Sequence, residues 1–310
     1  MMTKWTTENI PSQRGRTAIV TGTGGIGYET ALELCRAGAD VILAGRNPTK
    51  GRASIDRLQA EVPNARVRFG QLDLASLASV RAFGDRMQSE LERLDILVNN
   101  AGVMTPPDRR ETSDGFELQL GTNYLGHFAL TAHLLPLLRK SSWARVVSLS
   151  SVAVHQGKID FDDLNAETAY KPMPVYSQSK LACLMFAIEL QRRSWSESWG
   201  IRSIGAHPGV SRTDLLMNGP GERGITRRIR TYLPFLFQPA AQGALPILYA
   251  ATSDAAEPGG YYGPDRLRET RGHPAPAKVP RLAQDEKAAA KLWRLSEQLT
   301  KVRFEAPEMI

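Results

Sequence analysis

Along the chain, short runs rich in β-branched residues and bounded by turn residues alternate with longer stretches whose apolar positions recur at helical spacing. That alternation predicts βαβ units around a parallel sheet. Strands are predicted at 17–21, 41–44, 67–72, 96–99, 145–150 and 201–206, and helices at 28–37, 77–91, 116–139 and 175–193. The apolar character of these strands predicts a sheet covered on both faces, and their order is that of a doubly wound α/β fold. Beyond Pro208 the pattern loosens, with glycine, proline and arginine concentrated over 210–239, which reads as a segment covering the site and not as a separate domain. A helix at 242–251, a strand or turn at 259–263 and a terminal helix at 285–302 complete the prediction.

Composition narrows the class. A chain of 310 residues, 42% hydrophobic and 23% charged, has ample material for a core, which excludes wholesale disorder. We expect one domain over 1–310, with its core at about 15–265. Only Cys35 and Cys183 are present, with no Cys/His cluster, so neither a disulfide framework nor a metal site is expected and a reducing, cytoplasmic location fits. No apolar run approaches the roughly 20 residues of a membrane span, and no secretory leader is read in the first fifteen residues. The net charge of +7 is dispersed and no nucleic-acid motif accompanies it, so a phosphate-bearing small ligand is favoured over nucleic acid.

The first chemical signal is Gly22-Thr23-Gly24-Gly25-Ile26-Gly27, between the first strand and a helix. Missing side chains there let backbone approach a pyrophosphate while helix N–H groups point at it. An NAD-type site would carry an acid at the end of the second strand, but the chain has Arg46 there, with Ala44 and Gly45 before it. A guanidinium fork suits a 2′-phosphate, so NADP is favoured, with Lys50 and Arg52 as possible helpers.

Tyr176 and Lys180 stand at i and i+4 of a predicted helix, so the ammonium lies beside the phenol and can stabilise its ionised form for acid–base work. Ser151 follows a strand at its carboxyl end, where such sheets bind ligands, and its hydroxyl is placed to hold a carbonyl oxygen; a turn or cap serine is the plainer alternative. Asn123 falls inside a predicted helix, where asparagine is mildly unfavourable. His127 reads as a packed helix histidine, and His155 as a weaker candidate near the substrate mouth.

Together these residues resemble the short-chain dehydrogenase/reductase family, close in pattern to its retinol-dehydrogenase-like and protochlorophyllide-reductase-like members, over roughly residues 15–265. The ordered matches are the glycine loop after Val20-Thr21, Asp73-Leu74, Asn99-Asn100-Ala101-Gly102, Asn123, Ser150-Ser151, Tyr176 with Lys180, and Pro208-Gly209 with Thr213. The resemblance implies a single-domain Rossmann fold with helices on both faces. It implies catalysis by Asn123, Ser151, Tyr176 and Lys180. Asp73 and Leu74 would border adenine, Asn100, Ala101 and Gly102 would line the cofactor, and Pro208, Gly209, Val210 and Thr213 would pass the nicotinamide. Between the paired serines, Ser151 is assigned to catalysis because Val152 follows it, and strand alternation would turn Ser150 to the other face.

The chain departs from the family in its loop, one residue shorter than T-G-x-x-x-G-x-G, which implies a tighter pyrophosphate turn. The function implied is NADP(H)-dependent interconversion of an apolar ketone or aldehyde with its alcohol, without metal. The apolar preference is motivated by Leu215, Leu216, Met217, Leu233 and Phe235. A nucleotide-sugar epimerase or dehydratase, and a non-catalytic NADP-binding regulatory protein, are the alternatives. Arg227, Arg228 and Arg230 ahead of the aromatic stretch 232–237 fit a membrane surface, a substrate cover or a solvated helix end equally well. A homo-oligomer is a further expectation.

Overall fold

The computed structural model describes residues 4–210 and 238–304. Its elements run β1 (Thr17–Thr21), α1 (Gly25–Arg36), β2 (Asp40–Gly45), α2 (Pro48–Glu61), β3 (Val67–Gln71), α3 (Leu77–Glu90), β4 (Ile96–Asn99), α4 (Gly126–Leu138), β5 (Arg145–Leu149), α5 (Pro172–Ser196) and β6 (Arg202–Ala206). After the undescribed stretch come α6 (Ala240–Thr252), β7 (Tyr261–Arg266), β8 (Arg271–Pro276) and α7 (Glu286–Thr300). The strands form one sheet in the order β3-β2-β1-β4-β5-β6-β7-β8, parallel except for β8, which pairs antiparallel with β7. This is the doubly wound Rossmann architecture, and the strand order reverses between β1 and β4, the switch point at which such sheets open a crevice.

Strand periodicity divides the core in two. Along β1, Ile19 packs on the face covered by α3, α4, α5 and α7, while Ala18 and Val20 pack on the face covered by α1 and α6. On the first face α7 lays Trp293 against Phe128, Phe186 and Phe304, with centroids 5.0, 5.7 and 4.5 Å away. A buried hydrogen bond between Tyr124 Oη and Ser296 Oγ, 2.7 Å, fixes how that helix sits.

Several elements differ from the sequence expectation. α2 was not expected: it buries only Gly51 and Leu58, so it carries no apolar stripe, and its start is set by Asn47, whose side chain caps the Lys50 N–H. β8, with two prolines and no β-branched residue, was also missed; it is an edge strand, where proline is tolerated. β3 is not buried on both faces, because it is the opposite edge, and only Gly70 within it is buried. The expected helix over 116–139 begins instead as a π-helical turn, Leu120–Leu125, and continues as α4.

Candidate active site

The strand-to-helix turn after β1 is built by Gly22 and Gly25, both at positive φ, +96° and +52°. Gly24 caps α1 with no side chain in the way, so the unpaired N–H groups of the first turn are left for a ligand. A Cβ on Gly27 would stand 2.3 Å from the Gly22 carbonyl oxygen, so only glycine lets α1 approach the loop this closely. The shortened loop is braced from α2, where Ser54 Oγ donates to the Thr23 carbonyl at 2.8 Å. Arg46 follows β2, exposed on the same crevice, and Lys50, Ser54 and Arg57 of α2 line it as well. The Arg57 guanidinium lies 3.4 Å over the Tyr28 ring, and Glu29 beside it is raised above the ordinary carboxylate value by burial.

At the switch point, Thr21 ties β1 to the segment after β4. Its Oγ1 accepts the N–H groups of Asn100 and Ala101, both at 2.9 Å, and Asn100 Nδ2 donates to the Thr21 carbonyl at 2.6 Å. The same hydroxyl meets His127 Nε2 at 2.9 Å, and His127 Nδ1 meets the Asn123 carbonyl at 2.9 Å. Both ring nitrogens are thereby used. Burial pushes the imidazole down to about 4, so His127 is a packed neutral histidine as its helix position suggested.

Asn123 is buried in the π-helical turn, where its side chain pairs with both backbone groups of Val103: Oδ1 accepts the N–H at 2.7 Å and Nδ2 donates to the carbonyl at 3.0 Å. Nδ2 also reaches Ser179 Oγ on α5 at 3.0 Å. The asparagine that looked out of place in a regular helix thus joins the 100–103 segment to the helix carrying Tyr176 and Lys180. Both of those side chains are 5% exposed, and Lys180 Nζ donates to the Leu149 carbonyl at 3.2 Å.

The paired serines separate. Ser150 Oγ donates to the Lys180 carbonyl, 2.8 Å, a bond internal to the fold. Ser151 caps the short 3₁₀ turn Val152–Gln156, where its Oγ accepts from Ala153 N at 3.2 Å, leaving its hydroxyl proton to donate elsewhere. β5 has ended at Leu149, so it is these different partners, and not strand alternation, that distinguish the two.

The residues converge on one cleft of about 810 Å³, a volume suited to a dinucleotide. Of the expected site residues, Gly22, Gly24, Gly25, Ile26, Arg46, Asp73, Leu74, Asn100, Ala101, Gly102, Tyr176, Lys180 and Pro208 line it. Gly27, Asn123, Ser151, Gly209 and Val210 are not among the residues that line it, and Ser150 reaches its wall where Ser151 does not. Thr213, the apolar residues from Leu215 to Phe235 and the basic-aromatic stretch lie outside the described residues. Sequence reasoning missed Thr23, Glu29, Ser54, Arg57 and Thr122; Ser54 and Arg57 share the face of α2 with Lys50, a signal available only once that helix is recognised.

The short chain dehydrogenase family model matches residues 16–223. The chain belongs to that family. It is similar to retinol dehydrogenase 13 of Homo sapiens, 43% identical over 95% of this chain and 87% of the relative, and to polyprenol dehydrogenase of Mus musculus, 41% identical over 94% and 85%. Among solved structures it resembles an uncharacterized protein from Mycobacterium paratuberculosis, at 40% identity and a TM-score of 0.80 over 98% of this chain and all of that one. As a short chain dehydrogenase the protein is an oxidoreductase that works through a nicotinamide dinucleotide, and the open end of α1, the glycine approach at Gly27 and the cleft volume fit that group. Among the described residues no helix is long and apolar enough to cross a membrane.

Proposed function

We propose that the protein interconverts an apolar ketone or aldehyde with its alcohol, and that it takes NADP(H). The observation that carries the proposal is that one cleft joins Arg46 and Lys50 at the glycine-loop end to buried Tyr176 and Lys180 at the other. The glycine loop and the first turn of α1 would hold the pyrophosphate, Arg46 the 2′-phosphate, Asp73 and Leu74 the adenine, and Asn100, Ala101, Gly102 and the Pro208–Gly209–Val210 turn the rest, with Thr213 beyond. When bound, the nicotinamide supplies the hydride. In the reducing direction Tyr176 donates its phenolic proton to the carbonyl oxygen while Ser151 donates a hydrogen bond to that oxygen. Lys180 stabilises the resulting phenolate, and Asn123 supports a water-mediated return of the proton.

The apolar class is supported by relatives whose names specify retinol and polyprenol. The cytoplasmic location expected from cysteine content stays with this proposal, supported by Cys35 and Cys183 being free and buried. The test is titration with NADPH and NADH followed by turnover on a panel of apolar carbonyls, for the wild type and Tyr176→Phe. Loss of turnover with NADPH binding retained is expected for the variant. Undiminished turnover would overturn the catalytic assignment, and a preference for NADH would overturn the phosphate role of Arg46.

A further inference from the structure

The turn after β6 is framed by an acid–base pair, a buried histidine and a partly exposed glutamate, that the proposed chemistry does not use. His207 is wholly buried, with Nε2 3.2 Å from Glu269 Oε2, and its Nδ1 accepts the Gly209 N–H at 3.3 Å. A neutral imidazole has one donor and one acceptor nitrogen, and an amide N–H only donates. Nδ1 is therefore bare and the proton sits on Nε2, donated to Glu269. The carboxylate selects the tautomer, and the tautomer holds the Gly209 amide.

The surroundings are built to keep this pair. A Cβ on Gly263 of β7 would lie 1.9 Å from His207 Nε2, so glycine there makes room for the ring. Glu269 arrives on the β7–β8 hairpin, where Leu267, Arg268 and Glu269 have φ of +48°, +55° and +64°, three successive left-handed residues of which none is glycine. Such conformations persist only where neighbours over-determine them. Here Glu269 Oε1 accepts Lys278 N at 2.8 Å and the Thr270 carbonyl accepts Val210 N at 2.8 Å. Gln238 bridges the same two pieces, donating to the Pro208 carbonyl at 2.5 Å and accepting Gly272 N at 3.2 Å. The other groups facing the pair are His155, Nε2 4.0 Å from Glu269 Oε2, and Tyr261, its ring 5.2 Å from that of His207 and its hydroxyl 3.5 Å from the Ser151 carbonyl.

We propose that Glu269 is a positioning residue which, through His207, sets the Pro208–Gly209–Val210 turn and so the nicotinamide end of the cofactor site. The inference rests on the proposed function, in which that turn borders the nicotinamide. It makes a directional claim. β6 lies four strand spacings from β2, roughly 19 Å, so Glu269 acts on the nicotinamide end and not on the adenosine end read by Arg46.

Calorimetric titration of the full chain with NADPH and with adenosine 2′,5′-bisphosphate, which lacks the nicotinamide, tests the claim. Glu269→Ala should weaken NADPH roughly tenfold and leave the bisphosphate within about twofold, because a hydrogen bond to a charged partner is lost at one end only. Glu269→Gln keeps one acceptor oxygen for the Nε2 proton while losing the one that Lys278 N uses, and should recover part of the NADPH affinity. Glu269→Asp, which retracts the carboxylate by one methylene, should show the same split in smaller measure and keeps the test available if the alanine variant does not fold. Equal weakening of both ligands, or unchanged NADPH affinity, in a protein whose wild type binds both would overturn the inference alone. A wild type that binds neither would overturn the cofactor assignment and this inference with it.

Discussion

His127 offers a stability measurement whose sign and size follow from its burial. Its Nδ1 proton is committed to the Asn123 carbonyl and its Nε2 faces the Thr21 hydroxyl, whose own acceptor capacity is taken by two amides, so a second ring proton has no acceptor. The folded protein holds this imidazole at about 4, below the ordinary value of 6.5. Because the folded value is the lower one, acidification protonates the unfolded chain first. The contribution of neutral His127 is complete above pH 6.5, falls as the pH drops toward 4, and is level below that. At pH 4.5 the loss amounts to about 2.5 kcal/mol. Since carboxylates and His207 also respond to acid, the quantity to measure is a difference. Urea unfolding of the wild type and of His127→Gln, from pH 7.5 to 4.5, gives two stability curves. The wild type should lose about 2.5 kcal/mol more than the variant over that interval, with most of the divergence below pH 6.5. A difference that stays constant with pH to within about 0.5 kcal/mol would refute the argument.

Two other substitutions probe opposite ends of the molecule. Arg46→Ala should weaken NADPH binding about tenfold and leave NADH unaffected, measured by nicotinamide fluorescence; equal effects on both would remove its phosphate role. Trp293→Ala opens a cavity between α7 and the aromatic residues of α4 and α5 and should cost about 3–5 kcal/mol in chemical denaturation, with a much smaller cost showing that α7 is not part of the core.

Much of the candidate site was legible because its motifs are local in sequence. The glycine turn, the i, i+4 pair Tyr176 and Lys180, and Arg46 at the end of β2 each declare themselves within a few residues, and βαβ alternation orders them along one sheet edge. Elements without an apolar signature escaped: α2, which rests on the sheet through one leucine and one glycine, and β8, whose prolines argue against a strand except at an edge. Asn123 was found as an anomaly, but its partners, Val103 and Ser179, are 20 and 56 residues away, beyond any local pattern.

The sequence by itself determined the fold class and singled out the glycine turn, Arg46 and the Tyr176–Lys180 pair as candidates, since periodicity and short motifs depend on neighbours along the chain. Tertiary structure decided which hydroxyl of the serine pair is spent on the fold, how Thr21, His127 and Asn123 form one buried chain of hydrogen bonds, and that Glu269 reaches back 62 residues to His207. The physical reason is that hydrogen bonds and burial are set by proximity in space. A polar residue's partner, and therefore its protonation and its role, is fixed only when the sheet brings distant strand ends together.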